Sequence, residues 1–159
     1  MKTVIITGSV ASGKTTLAKK LSKKLNYGYV DVNKIIKDNN ISSGYDRKRK
    51  CKIIDTKKLN SFLIKIIKKS KKNLVIDSHL SHYLPKKFVN NCIVTKCNLK
   101  ELKRRLIKRK YSKSKIEENL ECEIMDICLN EVKEMHNDVL VINATKPINM
   151  GKLTKILQG

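Results

Sequence analysis

The sequence predicts an α/β fold, a parallel sheet covered by helices on both faces, and two observations lead there. Short apolar runs alternate with longer amphipathic stretches along the chain, the pattern of strands joined by helical crossovers. The first apolar run passes through Gly8-Ser9-Val10-Ala11-Ser12-Gly13-Lys14-Thr15, a match to G-x-x-x-x-G-K-[ST], and straight into an amphipathic helix. No internal repeat or flexible linker is visible in 159 residues, so a single domain over 1–159 is expected.

Val4 to Thr7 reads as a buried strand, and Lys14 to Leu25 as a helix with Leu17, Leu21 and Leu25 on one stripe. Tyr27 to Val32 is the second strand. Residues 33–55 are polar, irregular and charged, with one short helical stretch near Ile35. Lys57 to Lys69 is a helix that turns Leu59, Phe62, Leu63, Ile66 and Ile67 inward. Leu74 to Asp77 and Asn91 to Lys96 are buried strands, and a helix from Leu99 to Arg109 follows the second. A longer helix is expected to begin near Ser114, because Ser114 and Glu117 have capping-box spacing. Val139 to Asn143 is the last strand and Asn149 to Leu157 the last helix. Ligands of such sheets sit beyond the carboxyl ends of the strands. That rule gathers Gly8 to Thr16, the residues after Val32, and Asp77 to His79 around one crevice.

Composition narrows the function classes. Apolar residues make up 40% of the chain, with no Trp, so Ile, Leu and Val must fill the core. No apolar stretch approaches the length of a bilayer span, and the chain opens on a strand-like run, not a signal peptide. A soluble, cytoplasmic protein without a membrane partner, and a monomer, is expected. The five cysteines, Cys51, Cys92, Cys97, Cys122 and Cys128, are odd in number and none has C-x-x-C spacing. This argues against a zinc site or a disulfide framework and for reduced core thiols. The formal charge of +22 favours polyanions, RNA or nucleotides above all. Lysines that merely decorate solvated faces would give the same charge, and composition does not separate the two readings.

The Gly8–Thr15 motif carries a specific chemistry. Backbone N–H groups of such a loop turn inward to form an anion nest, and Gly8 and Gly13 supply the permissive backbone. The helix N-terminus adds favourable partial charge. Lys14 is expected on the β- and γ-phosphates of a nucleoside triphosphate, the Thr15 hydroxyl on Mg²⁺, and Thr16 on the α-phosphate. Leu74-Val75-Ile76-Asp77 is an apolar strand ending in Asp, the pattern that holds Mg²⁺ through its water shell. His79 falls on the same side of the extended chain as Asp77, placed to orient a water or meet a phosphate. Arg104, Arg105, Lys108, Arg109 and Lys110 close a helix; Arg105 and Arg109 share a face. They suit a lid clamping phosphoryl charge, and equally a basic helix end that complements the dipole. Arg47, Lys48, Arg49 and Lys50 are either a solvated loop or a phosphate or RNA contact.

Together, the P-loop, Asp77-Ser78-His79 and the run R-L-I-K-R-K-Y-S-K-S-K-I-E-E-N-L-E-C-E-I resemble the adenylate kinase isoenzyme 6 family. Gly44-Tyr45-Asp46 through Asp55 resembles that family's nucleoside-monophosphate segment. The resemblance covers nearly the whole chain; Glu117 to Ile124 and the Asp-x-His pair are its specific parts. It implies a five-stranded P-loop kinase core that moves phosphate reversibly between ATP and AMP or a related monophosphate, with ATPase activity alongside. Its implied cofactors are ATP and Mg²⁺, the latter on Thr15 and Asp77. It puts Gly8, Ala11, Ser12, Gly13, Lys14, Thr15, Thr16 and Arg109 at ATP, and Lys14, Asp77 and His79 at the chemistry. The monophosphate segment runs from about 31 to 54, with Asp31, Asn33, Tyr45 and Asp46 as its candidates, and the lid from about 108 to 118. A role in small ribosomal subunit maturation and rRNA processing, with small-subunit ribosomal protein eleven and rRNA as partners, is implied too. Val10 and Ala11 replace the family's usual Pro and Gly, and the loop tolerates Ala11 if its φ stays negative. Lys110 replaces a usual Gly. Asp31-Val32-Asn33-Lys34 stands where N-V-G-D is usual.

Three functions compete on this reading. A nucleoside monophosphate kinase leads. A ribosome-assembly ATPase switch is the runner-up, motivated by the charge and the Asp77/His79 pair. A metabolite kinase comes third, with Asp31 or Asp46 as a base near an acceptor hydroxyl.

Overall fold

A computed structural model of the chain describes residues 1–48 and 50–159. Five parallel strands form the sheet in the order β2-β5-β1-β6-β7: β1 (Thr3–Gly8), β2 (Gly28–Asp31), β5 (Leu74–Asp77), β6 (Asn91–Lys96) and β7 (Val139–Asn143). All six residues of β1 are buried, as its central place requires. Every strand points its carboxyl end the same way, so Gly8, Asp31 and Asp77 finish at one edge, with Asp31 paired to Asp77 and Gly8 to Thr95.

The helices fill both faces. On one face α1 (Lys14–Leu25) and α7 (Met150–Gln158) bury Leu17, Ala18, Leu21, Leu153 and Leu157 against Val4, Ile6, Val75 and Ile93. The other face holds α2 (Val32–Asp38), α3 (Thr56–Lys69) and α6 (Ile127–Met135), whose Ile36, Leu59, Leu63 and Val132 pack on Ile5, Ile76 and Val94. Each such fully buried aliphatic side chain contributes about 1.5–3 kcal/mol. A third cluster joins Ala11 of the loop to Leu102 and Leu106 of α4 (Leu99–Lys108), with Ile116 and Leu120 of α5 (Lys113–Ile124) against it. No helix among the described residues is long and apolar enough to cross a membrane.

The structure differs from the sequence reading in three places. Residues 33–55 are not irregular: beyond α2 they form an antiparallel hairpin, β3 (Ser42–Asp46) with β4 (Cys51–Ile54), outside the main sheet. The basic cluster Arg47, Lys48 and Lys50 sits in its turn; Arg49 lies outside the described residues. The helix expected near Ser114 is present from Lys113, but its cap is not Ser114. Ser112 is its cap, accepting from the Lys115 N–H at 3.3 Å, because α4 ends at Lys108 with Arg109 as its cap and Lys110 turns the chain in the left-handed region. It is also two helices rather than one. Asp126, at φ 50°, breaks α5 from α6, and its carboxylate pairs with Lys96; Asp tolerates that conformation better than most residues.

A candidate nucleotide-binding site

The loop from Gly8 to Thr15 is held rigidly at its base. Gly8 has φ 142°, and a Cβ there would meet the Thr95 carbonyl at 2.5 Å, so only glycine fits. Gly13 caps α1 in the left-handed region at φ 101°. The Ser12 side chain turns inward, fully buried, with its Oγ 2.6 Å from the Thr95 hydroxyl. Arg105 braces the loop from α4: Nη1 donates to the Ala11 carbonyl at 3.3 Å and Nη2 to the Ala144 carbonyl at 2.9 Å. Ala11 has φ 62°, against the negative φ expected of it. The loop geometry fixes this value, and an L-residue there costs about 1–2 kcal/mol.

Lys14 lies across the loop, its Nζ donating to the Ser9 carbonyl at 2.7 Å. Burial pulls its ammonium down to about 8, with Asp77 the largest influence in the other direction. Asp77 is buried, and its Oδ2 accepts from the Tyr29 hydroxyl at 2.9 Å. Tyr29 pairs with Val75 in register, two residues back on the face where Asp77 stands, so its long side chain reaches along the strand to that carboxylate. Desolvation of its ring and the Lys14 charge push the His79 value down, toward the neutral form, although the residue is exposed at the open crevice.

Three cavities surround the loop. One, of about 330 Å³, lies between Gly13, Thr16, Leu17, Arg105, Arg109 and the Ala144–Ile148 connection ahead of α7. The second, of about 240 Å³, is lined by Val10, Ala11, Gly13, Lys14, Thr15, Thr16, Asn33, Asp77, His79 and Arg109. The third, of about 450 Å³, opens between the hairpin (Cys51, Lys52, Ile54) and α5 (Lys115, Glu118, Asn119, Cys122). Arg109 borders the first and second; Val10, Asn33, His79 and Tyr111 border the second and third. The three cavities thus form a continuous row along the loop. Thr15 and Asp77 bring a hydroxyl and a carboxylate, hard oxygen donors, to the middle cavity, which fits an Mg²⁺ ion.

The sequence-predicted residues divide. Ala11, Gly13, Lys14, Thr15, Thr16, Asp77, His79, Arg109 and Asn33 line the middle cavity. Gly8 and Ser12 shape the loop from beneath, and lining is done by their neighbours. Asp31, Tyr45 and Asp46 line none of the three cavities. Asp31 caps α2, accepting from the Lys34 N–H at 3.2 Å. Tyr45 is 57% exposed, and the Asp46 carboxylate accepts from the Lys48 N–H at 2.9 Å. The hairpin's lining residues come instead from β4. The sequence reading also missed α5 as a wall. Its signal was Asn119 and Cys122 recurring at helical spacing on one face.

Comparisons with known proteins bear on the family and the fold. Residues 4–126 match the family described as AAA domain. The adenylate kinase isoenzyme 6 homologue of Caenorhabditis elegans is 30% identical over 138 residues, 87% of this chain and 76% of that protein. The Saccharomyces cerevisiae homologue of the same name is 33% identical over 140 residues, 87% and 70% of the two chains. Among solved structures, shikimate kinase from Acinetobacter baumannii superposes with a TM-score of 0.65 at 12% identity, covering 99% of this chain and 92% of that one. The Bacteroides thetaiotaomicron enzyme gives 0.59 at 14%, covering 99% of both chains. At such identity the structural likeness speaks for the P-loop kinase fold alone. Sequence identity over most of both chains goes further: this chain belongs to the adenylate kinase isoenzyme 6 family.

Proposed function

We propose that the protein is an adenylate kinase that transfers the terminal phosphoryl group of ATP to AMP. The observation that carries this reading is the pair of cavities on either side of the middle one, the larger sharing His79 and Asn33 with it and the other sharing Arg109. A hydrolase needs room for a water beyond the γ-phosphate; a cavity of about 450 Å³ there has room for a nucleotide. The names of the relatives support the same reaction.

In this reading ATP lies with its base toward Ala144–Ile148 and its phosphates over the loop. Lys14 exchanges the Ser9 carbonyl for the phosphates, and Arg109 neutralises charge from the lid side. An oxygen of the AMP phosphate attacks the γ-phosphorus in line, the bond to the ADP leaving oxygen breaks, and two ADP result. The nucleophile is already anionic, so no general base is needed. Mg²⁺, when bound near Thr15 and Asp77, supplies charge neutralisation at the phosphates. Tyr29 orients the Asp77 carboxylate. The neutral His79 ring, at the junction of channel and acceptor pocket, donates or accepts a hydrogen bond there without adding charge.

ATP hydrolysis linked to ribosomal small-subunit maturation is the second reading. It is favoured by His79, which can orient a water in an empty acceptor pocket, and by the +22 charge, which suits rRNA. One assay separates them: ATP consumption with AMP, with RNA, and with neither. The kinase reading expects two ADP per ATP consumed, only with AMP. Hydrolysis to phosphate that RNA stimulates and AMP does not would replace it with the ATPase.

A further inference from the structure

The adenylate kinase reading leaves one buried charge without a task. Glu123 lies near the end of α5 and is 6% exposed. Carboxylates are almost never this buried unless paired. Its Oε2 accepts from the Ser9 hydroxyl, and its Oε1 faces the Cys97 N–H at 3.4 Å and Lys96 Nζ at 3.5 Å. Lys96 already has Asp126 as an ion-pair partner. Packing around Lys96 therefore does not by itself demand a second carboxylate.

Ser9 is gripped from two sides. Its hydroxyl is held by Glu123, and its carbonyl accepts from Lys14 Nζ at 2.7 Å. We propose that Glu123 is a positioning residue for the phosphate loop, fixing Ser9 so that the loop keeps its shape when Lys14 leaves the Ser9 carbonyl for the phosphates. The loop has backbone in the left-handed region at Ala11 and Gly13 and needs an outside anchor to hold it. Thr95 and Arg105 anchor its middle through Ser12 and Ala11; Glu123 holds the Ser9 hydroxyl, a grip that stays when Lys14 leaves the Ser9 carbonyl. A charged acceptor makes the stronger hydrogen bond. The anchor also ties the loop to α5, the helix whose Asn119 and Cys122 wall the acceptor pocket.

This inference rests on Lys14 binding the phosphates of ATP, as proposed above. The test is a double-mutant cycle of Glu123→Gln and Ser9→Ala, with Ser9→Thr as the variant that keeps the hydroxyl. Affinities for a non-hydrolysable ATP analogue with Mg²⁺ and for AMP are measured separately by calorimetry. Ser9→Ala is expected to weaken the analogue about tenfold, and Glu123→Gln about fivefold, since an amide accepts less strongly than a carboxylate. The double variant is expected to be no weaker than Ser9→Ala alone. AMP affinity stays unchanged, and Ser9→Thr restores the analogue. Losses that add in the double variant, or that fall equally on AMP and the analogue, would overturn the assignment, as would unchanged analogue affinity. If Glu123→Gln does not fold, Ser9→Ala against Ser9→Thr decides alone. A wild-type protein that binds the analogue but makes no ADP from AMP sinks the kinase reading and leaves this cycle intact.

Discussion

The two sides of the proposed phosphate channel, donor and acceptor in the kinase reading, are built by opposite means. The donor side springs from β1, every residue of which is buried, and its loop is tied down by Thr95, Arg105 and Glu123. The acceptor side rests on the β3–β4 hairpin, a separate two-stranded sheet with a register irregularity between Ser42 and Gly44 and mostly exposed side chains. Ile41 and Ile54, at its feet, are what join it to the core. A two-stranded ribbon has little stability of its own. The difference matches the work required. Phosphoryl transfer needs donor phosphates placed within fractions of an ångström, while an acceptor must enter, and be enclosed, by an element able to move.

The comparison breaks most sharply at Lys14. Lys14→Ala removes the cation that offsets phosphoryl charge, and AMP-dependent ADP formation should fall by about 10²–10³-fold or more. Thermal stability at neutral pH should not fall and should tend to rise, because an ammonium held below its ordinary value is a cost to the fold, not a support. A variant that keeps its activity removes the donor side from the mechanism. On the acceptor side, Asn119→Ala should raise KM for AMP about tenfold and leave KM for ATP unchanged. Equal changes in both would show that the third cavity is no separate pocket.

Tyr29→Phe probes the channel between them. It deletes the 2.9 Å hydrogen bond to Asp77 without changing the ring. The Mg²⁺ concentration needed for tight binding of an ATP analogue should rise about tenfold, the usual effect of removing a group that orients a metal-holding side chain. Unchanged Mg²⁺ dependence would mean that Asp77 is held adequately by the strand alone.

Lys14 also gives the channel a pH signature. Burial pulls its folded value down to about 8 from an ordinary 10.5. Between those values the unfolded chain binds more protons than the folded one, so this group makes stability rise with pH across that window. It is a full cost below about 8. Phosphates favour the charged form, so ATP-analogue affinity should run the other way, falling by up to about tenfold per pH unit above that point. Flat affinity between pH 7 and 9.5 would place Lys14 away from the phosphates.

Legibility followed the same divide. The donor side announced itself because buried parallel strands are continuous apolar runs and an anion nest needs glycines at fixed offsets. Ser-Ser-Gly-Tyr-Asp has no apolar alternation, so β3 gave no strand signal; its pairing with β4 is a tertiary fact. Ser112 and Ser114 both suit a helix cap, and the left-handed turn at Lys110 decides between them. Glu123 was illegible for a different reason. A glutamate in a charged helix reads as solvated, and only the fold brings Ser9 and Lys96 around it.

Ala11 offers the finest test of how tightly the donor side is held. It stands at φ 62°, and Lys110 at φ 58°, both in the left-handed region that favours glycine. An L-residue in that region costs about 1–2 kcal/mol, while glycine loses about 0.4–1 kcal/mol through the greater freedom of its unfolded chain. Lys110→Gly, in an exposed turn, should therefore raise stability, by about 1 kcal/mol. Ala11→Gly has a further term against it. The Ala11 side chain is buried with Leu102 and Leu106, and losing that methyl forfeits about 0.8 kcal/mol. The two effects nearly cancel, so thermal stability should hardly move. Strain relief would still appear in binding, as a change in ATP-analogue affinity of no more than about threefold. A large loss of stability on Ala11→Gly would mean that the methyl, not the backbone, holds the loop against α4.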